Sequence, residues 1–335
     1  MRAALAVAVP LIAALAAPVV HVLPLHKQID VPCHNLSLKH RYGNVDIVGV
    51  DNPARVTVDA IVRVAAGTEQ VARAFAEGVD VDVKAAGGSV SLTTTYPRQP
   101  VADSQLSYEV NIDVSVPAGA HVDLDNSFGD VHVTGVTGGC RLADRFGEIE
   151  LDRCGQCEVS GRYGDVRSIE AEGPLVVENA FGDVVLREAG SRVQVDNRYG
   201  TVQVDRVRGE THIENLLGNV VARRGEGRLF IVNDFGDVSA LVDDPDLSAL
   251  DILSRLGRVE LSLARGVPFQ LGGRTRQGTI MPVLPVSVSG IGIGESVSGS
   301  AGSGGPDIQL EGVWSDFVIR GVAEPDTGGA APVRR

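Results

Sequence analysis

A phrase of about eight residues recurs seven times between residues 126 and 237, as in NAFGDVVL and NDFGDVSA. Its central glycines are separated by 18, 17, 18, 18, 18 and 18 residues. Such even spacing is the signature of stacked repeats, in which each copy packs mainly against its two neighbours. The anchoring glycines are Gly129, Gly147, Gly164, Gly182, Gly200, Gly218 and Gly236.

One repeat, residues 179–196, shows how a unit is built. Val184 and Leu186 alternate with other residues, and the same alternation returns at 193–195. A period of two predicts short strands with one buried face, and Gly190 marks the turn between them. The sequence therefore predicts an all-β fold, a parallel β-solenoid (β-helix) with coils of about 18 residues. Crossover connections favour a right-handed solenoid.

An aromatic position directly precedes each anchoring glycine. Equivalent residues of stacked coils lie about 4.8 Å apart, so we expect these side chains to form one continuous column as a core element of the stack. The alternative is a surface row of aromatics that stack on sugars. The glycine after each ring should take a positive φ, which only glycine adopts without steric cost. The column comprises Tyr42, Phe128, Phe146, Tyr163, Phe181, Tyr199, Leu217, Phe235 and Leu256.

An asparagine row lies two places before the aromatic position. Stacked amides can hydrogen-bond from coil to coil and to the turn backbone, which predicts a structural ladder. Its asparagines are Asn126, Asn179, Asn197, Asn215 and Asn233, with Asp144 and Gly161 at the remaining two positions.

A second row, acidic at most copies, directly follows the glycine and is expected to face outward. Stacked like charges repel, so the row would recruit a divalent cation or the arginines Arg145, Arg162 and Arg198. The carboxylates lack the compact ligand loops that hard cations prefer, and no metal site is predicted. The row comprises Asp130, Glu148, Asp165, Asp183, Thr201, Asn219 and Asp237.

The first residues have the composition of an export signal. Residues 1–17 combine one arginine, an Ala/Val/Leu run and a small-residue cleavage site, which predicts a signal peptide. The alternative is an uncleaved anchor over residues 3–20, which would tether the protein to a membrane.

The remaining chain divides by how regular the repeat is. A degenerate β section is expected to cap the solenoid and to contain one helix with Thr68 as its N-cap. Trp314 is expected to cover the open end of the core. The predicted divisions are the capping section 25–125, the regular solenoid 126–285, a Gly/Ser-rich mobile loop followed by closing strands 286–322, and a disordered tail 323–335.

Two of the four cysteines occupy one inward register in neighbouring coils. Cys140 and Cys157 should lie one sheet spacing apart, within the distance that a disulfide tolerates, so we expect a bridge or small apolar packing. Cys154 and Cys157 form a CGQC, but redox activation needs a helix N-terminus that this β-turn region lacks. A group near the mature N-terminus, His26, Cys33, His34 and His40, does not have convincing metal-ligand spacing.

Charge and motif content exclude several classes of function. The formal net charge is −13, and binding of nucleic acid needs a concentrated basic face. The sequence contains no Ser/His/Asp set, no paired-carboxylate pocket and no HExxH motif. No cofactor and no catalytic residue are predicted, and the protein is not expected to be an enzyme.

The repeats resemble those of a known bacterial family. The segment YEVNIDVSVPAGAHVDLDNSFGDVHVTGV, followed by the FGDV-type copies, is similar to the putative-adhesin family of β-strand-repeat envelope proteins, a domain of unknown function. The resemblance covers about residues 36–320; the CGQC coil and the Gly/Ser-rich insert depart from it. It implies a β-solenoid exported to the envelope or surface, with no site residues to transfer.

These observations favour a non-catalytic protein of the bacterial periplasm, envelope or surface, an adhesin that binds a protein or glycan through the solenoid faces. The main alternative is an envelope scaffold or self-assembling module. A β-helix polysaccharide lyase or hydrolase is less favoured, because its acid and base groups need a groove walled by long loops.

Overall fold

The computed structural model describes residues 17–52, 54–98, 105–290 and 294–322. Within these residues the chain forms 27 strands in one mostly parallel hydrogen-bonded sheet and one short helix. The protein is therefore all-β. No helix in this part is long and apolar enough to span a bilayer. The predicted signal peptide (but for Ala17) and the tail 323–335 lie outside the described residues.

The N-terminal section mixes antiparallel and parallel pairs. Two antiparallel sets, β1–β4–β7 and β5–β6, flank the two strands that join the later repeats. The first strand begins six residues before the expected start of this section. The elements are β1 Val19–Ile29, β2 Asn35–Lys39, β3 Val45–Val50, β4 Val56–Ala66, α1 Glu69–Glu77, β5 Asp80–Ala86, β6 Ser89–Thr95 and β7 Ser107–Pro117.

The helix confirms its predicted cap. Thr68 accepts a hydrogen bond from the backbone N–H of Val71, and Ala72, Phe75 and Ala76 are buried. A threonine in extended geometry satisfies one of the free amides at a helix start, and the apolar face then packs on the sheet.

The repeats form two parallel ladders, and each repeat adds one strand to each. We call one such strand pair with its turns a coil. The strands are β8 His121–Asp125, β9 Val131–Thr134, β10 Cys140–Phe146, β11 Ile149–Asp152, β12 Cys157–Tyr163, β13 Val166–Ile169, β14 Leu175–Phe181, β15 Val184–Arg187, β16 Val193–Tyr199, β17 Val202–Asp205, β18 Glu210–Leu217, β19 Val220–Arg223, β20 Gly227–Phe235 and β21 Val238–Val242.

Even-numbered strands from β8 to β20 form the first ladder and odd-numbered strands from β9 to β21 form the second. Leu175 pairs with Val193 and Val184 with Val202, an offset of 18 residues in both ladders. The inward residues of the two ladders are aliphatic and nearly all fully buried. The core therefore lies between the ladders, and a nearly constant register offset of 17 or 18 residues keeps it continuous.

The C-terminal coils are longer. The elements are β22 Leu247–Ala264, β23 Phe269–Arg276, β24 Ile280–Pro282, β25 Ser287–Ser289, β26 Gly294–Ala301 and β27 Asp307–Val322. Both β22 and β27 run from the first ladder into the second and pair in parallel over most of their length. The expected closing strand pair is thus one long strand that bends at Trp314, where φ is 58°.

The described residues of the Gly/Ser-rich segment form strands where its composition predicts a loop. Strand β26 pairs with β23 along eight residues and with β25 along three, and Val297 is buried. A Cβ added at Gly299 would lie 2.5 Å from Cγ1 of Val286. Glycine here permits close packing between strands, which the composition alone did not indicate.

Candidate functional site

The aromatic positions form a ridge on the outside of the corner where each chain segment passes from the first ladder to the second. Successive rings from Tyr42 to Tyr199 stack with centroids 4.6 to 5.3 Å apart and planes within 13°. Beyond Tyr199 the in-register side chains complete the row. The ridge comprises Tyr42, Phe128, Phe146, Tyr163, Phe181, Tyr199, Leu217, Phe235, Leu256 and Trp314.

The ridge corrects two sequence predictions. The column was expected in the core, but apart from the half-buried Tyr42 its residues are 37% to 56% exposed. Strand alternation breaks before each ring, as in β12, where Arg162 and Tyr163 both face outward. Trp314 was expected as a lid on the core, but it lies beside Leu256, between the pairs Arg255–Val313 and Gly257–Ser315.

The ring geometry restricts what the ridge can bind. Each ring between Phe128 and Phe181 has both faces covered by the rings of the neighbouring coils. Only ring edges therefore reach solvent. A sugar that packs against an aromatic needs an open ring face, so this geometry does not support the alternative of sugar stacking.

The acidic row follows the ridge on the second-ladder side and caps backbone amides. Asp165 Oδ1 accepts the N–H of Asp183 at 2.9 Å, and Asp183 Oδ1 accepts the N–H of Thr201 at 2.7 Å. Asp130, Asn219 and Asp237 make the same bond to the next coil. The row thus provides hydrogen-bond acceptors for the backbone N–H groups at the same turn position of the next coil.

The arginine row lies on the first-ladder side of the ridge. We expected these arginines to neutralise the acidic row, and the geometry contradicts this: Arg167, from a second-ladder strand, pairs with Glu148 and Asp165. Arg162 instead lies over the Tyr163 ring, with its Cζ 5.5 Å from the ring centroid. Among the described residues, no ion pair within 4 Å involves Arg41, Arg145, Arg162 or Arg198.

The asparagine positions lie inside the same corner and are buried. Asn197 donates to Asn215 Oδ1 and Asn215 donates to Asn233 Oδ1, each at 3.1 Å. Terminal members donate to turn carbonyls, as Asn233 does to Gly236 O. The ladder supplies donors for carbonyls that the turns leave free.

Asp144 is the exception in this ladder. The residue is 4% exposed, and neither carboxylate oxygen has a hydrogen-bond partner of good geometry. Burial raises the pKa of Asp144 to about 6, against a weaker opposite effect of the backbone amide of Arg145. A carboxylate cannot donate as asparagine does, so this coil holds an unfavourable charge at neutral pH.

The cysteines do not form a redox centre. Cys140 and Cys157 pair in register with Cα atoms 4.7 Å apart and are joined by a disulfide. The other CGQC cysteine, Cys154, is free and buried, and burial raises the pKa of its thiol. The N-terminal group is dispersed: His26 contacts Asp59, and the buried His40 contacts Thr94. No cluster of metal-ligating side chains occurs among the described residues.

We expect the disulfide to contribute to stability. It closes a loop of sequence separation 17, and cross-links of this length stabilise by about 2 to 3 kcal/mol, mainly by restricting the unfolded chain. Replacing Cys140 and Cys157 together by alanine should lower the free energy of unfolding by that amount in urea titration. Cys33→Ala provides a control that removes a buried thiol without a cross-link.

A second turn row carries backbone strain that the sequence did not reveal. Non-glycine residues take left-handed φ values of 50° to 57° at five successive coils. Glycine usually occupies positions with this conformation, so Arg and Glu residues there give no sequence signal of it. The row comprises Arg153, Glu170, Glu188, Arg206 and Arg224.

This strain makes a testable difference. Glu170→Gly should raise the free energy of unfolding by about 0.5 to 1 kcal/mol, because glycine adopts a left-handed φ without steric cost. The matched control is Glu172→Gly, two residues away and outside this conformation, which should lower stability. Equal effects of both variants in urea titration would show that the strain is absent.

A polar cleft of about 670 Å³ lies on the outer face of the first ladder, near its N-terminal end. Its floor consists of small outward side chains, with Ser91 paired to Ser37 and Ser37 to Asp123. Lys84 borders one end beside Ser91, and Arg141 borders the other beside Asp123. Small residues between long ones make the surface concave. Other lining side chains are Asn35, Ser89, His121 and Glu158.

Sequence reasoning missed this cleft. Strand β2 lies between β6 and β8, so Asn35 pairs with both Ser89 and His121. The only local signal was the alternation of small polar residues with buried aliphatic ones in NLSLK and SVSLT.

Three comparisons relate this chain to known proteins. A scan against protein families and a search of curated proteins each gave no match. Among solved structures, a putative cell adhesion protein from Clostridium sporogenes is 7% identical (TM-score 0.21; 90% of this chain, 100% of that one). A putative adhesin from Bacteroides fragilis is 9% identical, with a TM-score of 0.27 over 90% of this chain and 97% of that one. A putative lipid binding protein from Parabacteroides distasonis is 10% identical, with a TM-score of 0.28 over 89% of this chain and 96% of that one. The chain is thus similar to two putative adhesion proteins and a putative lipid binding protein, at very low sequence identity.

Proposed function

We propose that this is a non-catalytic, exported binding protein of the bacterial envelope or surface that holds a glycan in the polar cleft. The scaffold is a right-handed parallel β-solenoid with coils of about 18 residues, capped by residues 25–125. The disulfide supports an extracytoplasmic location, because such bonds persist in oxidising compartments. The cleft carries the proposal, because it combines concavity with a high density of hydrogen-bonding side chains.

The chemistry of the cleft favours a glycan over a protein partner. Stable protein interfaces centre on buried aromatic or arginine anchors, whereas this floor is made of Ser37, Ser91, Asn35 and Ser89. Hydroxyl and amide groups donate and accept, which suits a ligand rich in hydroxyls. From Lys84 to Arg141 the cleft crosses four strand spacings, roughly 19 Å, enough for several sugar units.

The non-catalytic assignment rests on the same residues. A glycosidase needs two carboxyl groups on opposite sides of the scissile bond, one of them with a raised pKa. Asp123 and Glu158 lie in one outward row on either side of Arg141, and Arg141 contacts Glu158 at 2.7 Å. Carboxylates in one row, one of them paired with Arg141, suit ligand binding better than the placement of an acid and a base on opposite sides of a bond.

A glycan array tests the proposal. The purified protein should bind a defined subset of bacterial or host glycans, and Ser37→Trp should abolish that binding because the indole fills the floor. The control is Gln194→Trp, an outward position of the same ladder three strands beyond Arg141. Loss of binding in both variants, or in neither, would remove the cleft as the site.

A further inference from the structure

The ridge exposes more apolar surface than a solitary protein normally does. Nine of its side chains are 37% to 56% exposed, which corresponds to roughly 80 Å² each and about 700 Å² in all, given the size of such side chains. Contiguous apolar patches on monomers are usually about 300 to 600 Å². The ridge is also close to the roughly 800 Å² that one partner contributes to a standard interface.

The charged residues directly beside the ridge have opposite sign on its two sides over the central coils, although Glu178 and Asp196 lie further out on the first-ladder side. The first-ladder side carries Arg145, Arg162 and Arg198, which have no ion-pair partner among the described residues. The second-ladder side carries Asp130, Glu148, Asp165, Asp183 and Asp237 directly after their anchoring glycines, with Thr201 and Asn219 at the other two positions. Arg167 on this side pairs with Glu148 and Asp165, which leaves the row with a net negative charge. The chain direction fixes these sides: in every coil the residue before the ring lies on the first-ladder side and the residue after the anchoring glycine lies on the second-ladder side.

We propose that the ridge is the contact surface between two copies of this chain, which pair side by side with the same direction. A two-fold axis parallel to the ridge places the first-ladder side of one copy against the second-ladder side of the other. Along both margins, Arg145 and Arg162 then face the positions of Glu148 and Asp165, and Arg198 faces Thr201, one coil from Asp183. Ring edges meet at the centre. An identical coil repeat in both copies keeps the contacts in register, and the interface is isologous.

The opposite direction is disfavoured by the same charges. A two-fold axis perpendicular to the ridge would set the arginine row of one copy against that of the other, and the acidic rows likewise. Juxtaposed like charges suppress such pairing. Other occupants fit less well. The ridge offers a sugar no open ring face to pack against, and its acidic row would repel an anionic lipid surface. The cleft lies on another face, so the pairing is independent of glycan binding.

Sedimentation analysis of the purified protein tests the pairing. We expect a dimer that dissociates as salt is raised, because the margins are ionic. Phe181→Lys should weaken association by roughly 100-fold or more, since a central aromatic enters a symmetric interface twice. The double variant Arg145→Glu with Arg162→Glu should also weaken association, although it leaves the rings intact. A monomer at all concentrations, or a dimer unchanged in both variants, would overturn the proposal.

Single cysteines determine the direction. In the proposed arrangement, position 128 of one chain lies opposite position 128 of the other, and the same holds for position 235. Phe128→Cys alone and Phe235→Cys alone should therefore each form a disulfide-linked dimer under mild oxidation. Reverse pairing predicts cross-links only between the two different variants when they are mixed, and that result would overturn the proposed direction. The unsubstituted protein, whose free cysteines Cys33 and Cys154 are buried, is the control.

Discussion

Replacing Gly182 by valine is expected to destabilise the protein by more than about 4 kcal/mol and to disrupt its coil, the largest effect of any prediction made for this chain. Gly182 has a φ of 141°, and an added Cβ would lie 2.0 Å from the carbonyl oxygen of Gly164. The clash is with backbone of the preceding coil, which pairs on both sides and cannot move without breaking ladder hydrogen bonds. Urea unfolding followed by circular dichroism measures the loss.

The matched control is Gly190→Ala in the opposite turn of the same coil. There the nearest atom to an added Cβ is Ala171 O at 3.5 Å, an ordinary contact. We expect a change within about 0.5 kcal/mol for such a tolerated site. A Gly182 variant as stable as this control would show that the coils are not stacked as closely as described.

Asp144→Asn is expected to stabilise the protein by up to about 3 kcal/mol at pH 7, since a pKa displaced from 3.8 to about 6 corresponds to that free energy. The sign follows from proton binding. The folded state has the higher pKa and binds more protons between pH 4 and 6, so its stability falls as pH rises through that window. Asparagine carries no charge and restores the donor that other ladder members supply.

The pH dependence distinguishes this mechanism from simple repacking. The stabilisation by Asp144→Asn should shrink towards zero near pH 4, where the native carboxyl is protonated. Asp234→Asn provides a control at an outward position five coils further along, where Asp234 contacts Arg255, and it should slightly destabilise at neutral pH. A gain for Asp144→Asn that is constant from pH 4 to pH 7 would contradict a buried carboxylate.

The sequence was most informative where a period enforces the structure. Alternation at Val184 and Leu186 and the equal glycine spacing predicted both ladders, because a one-residue slip would expose the aliphatic face. The sequence also indicated which positions carry the rings, but it wrongly predicted that the rings face the core instead of solvent. Strict alternation from Val159 through Gly161 would place Tyr163 inside. The asparagine positions occupy the inner corner, and the chain bends after them, so the ring turns outward.

Other features depend on contacts that no local pattern contains. The cleft joins strands from distant parts of the chain, because β2 inserts between β6 and β8. Left-handed residues such as Glu170 carry no compositional signal, and the Gly/Ser-rich strand β26 reads as loop until its pairing with β23 is known. In these cases tertiary pairing overrides composition.

The most direct test of glycan binding without catalysis is calorimetric titration of an array-positive glycan into the protein, followed by mass spectrometry of the recovered ligand. The account predicts saturable binding that Ser37→Trp removes and Gln194→Trp preserves, with the glycan returned at its original mass. A shortened or unsaturated glycan would identify an enzyme, and binding that survives Ser37→Trp would move the ligand away from the cleft.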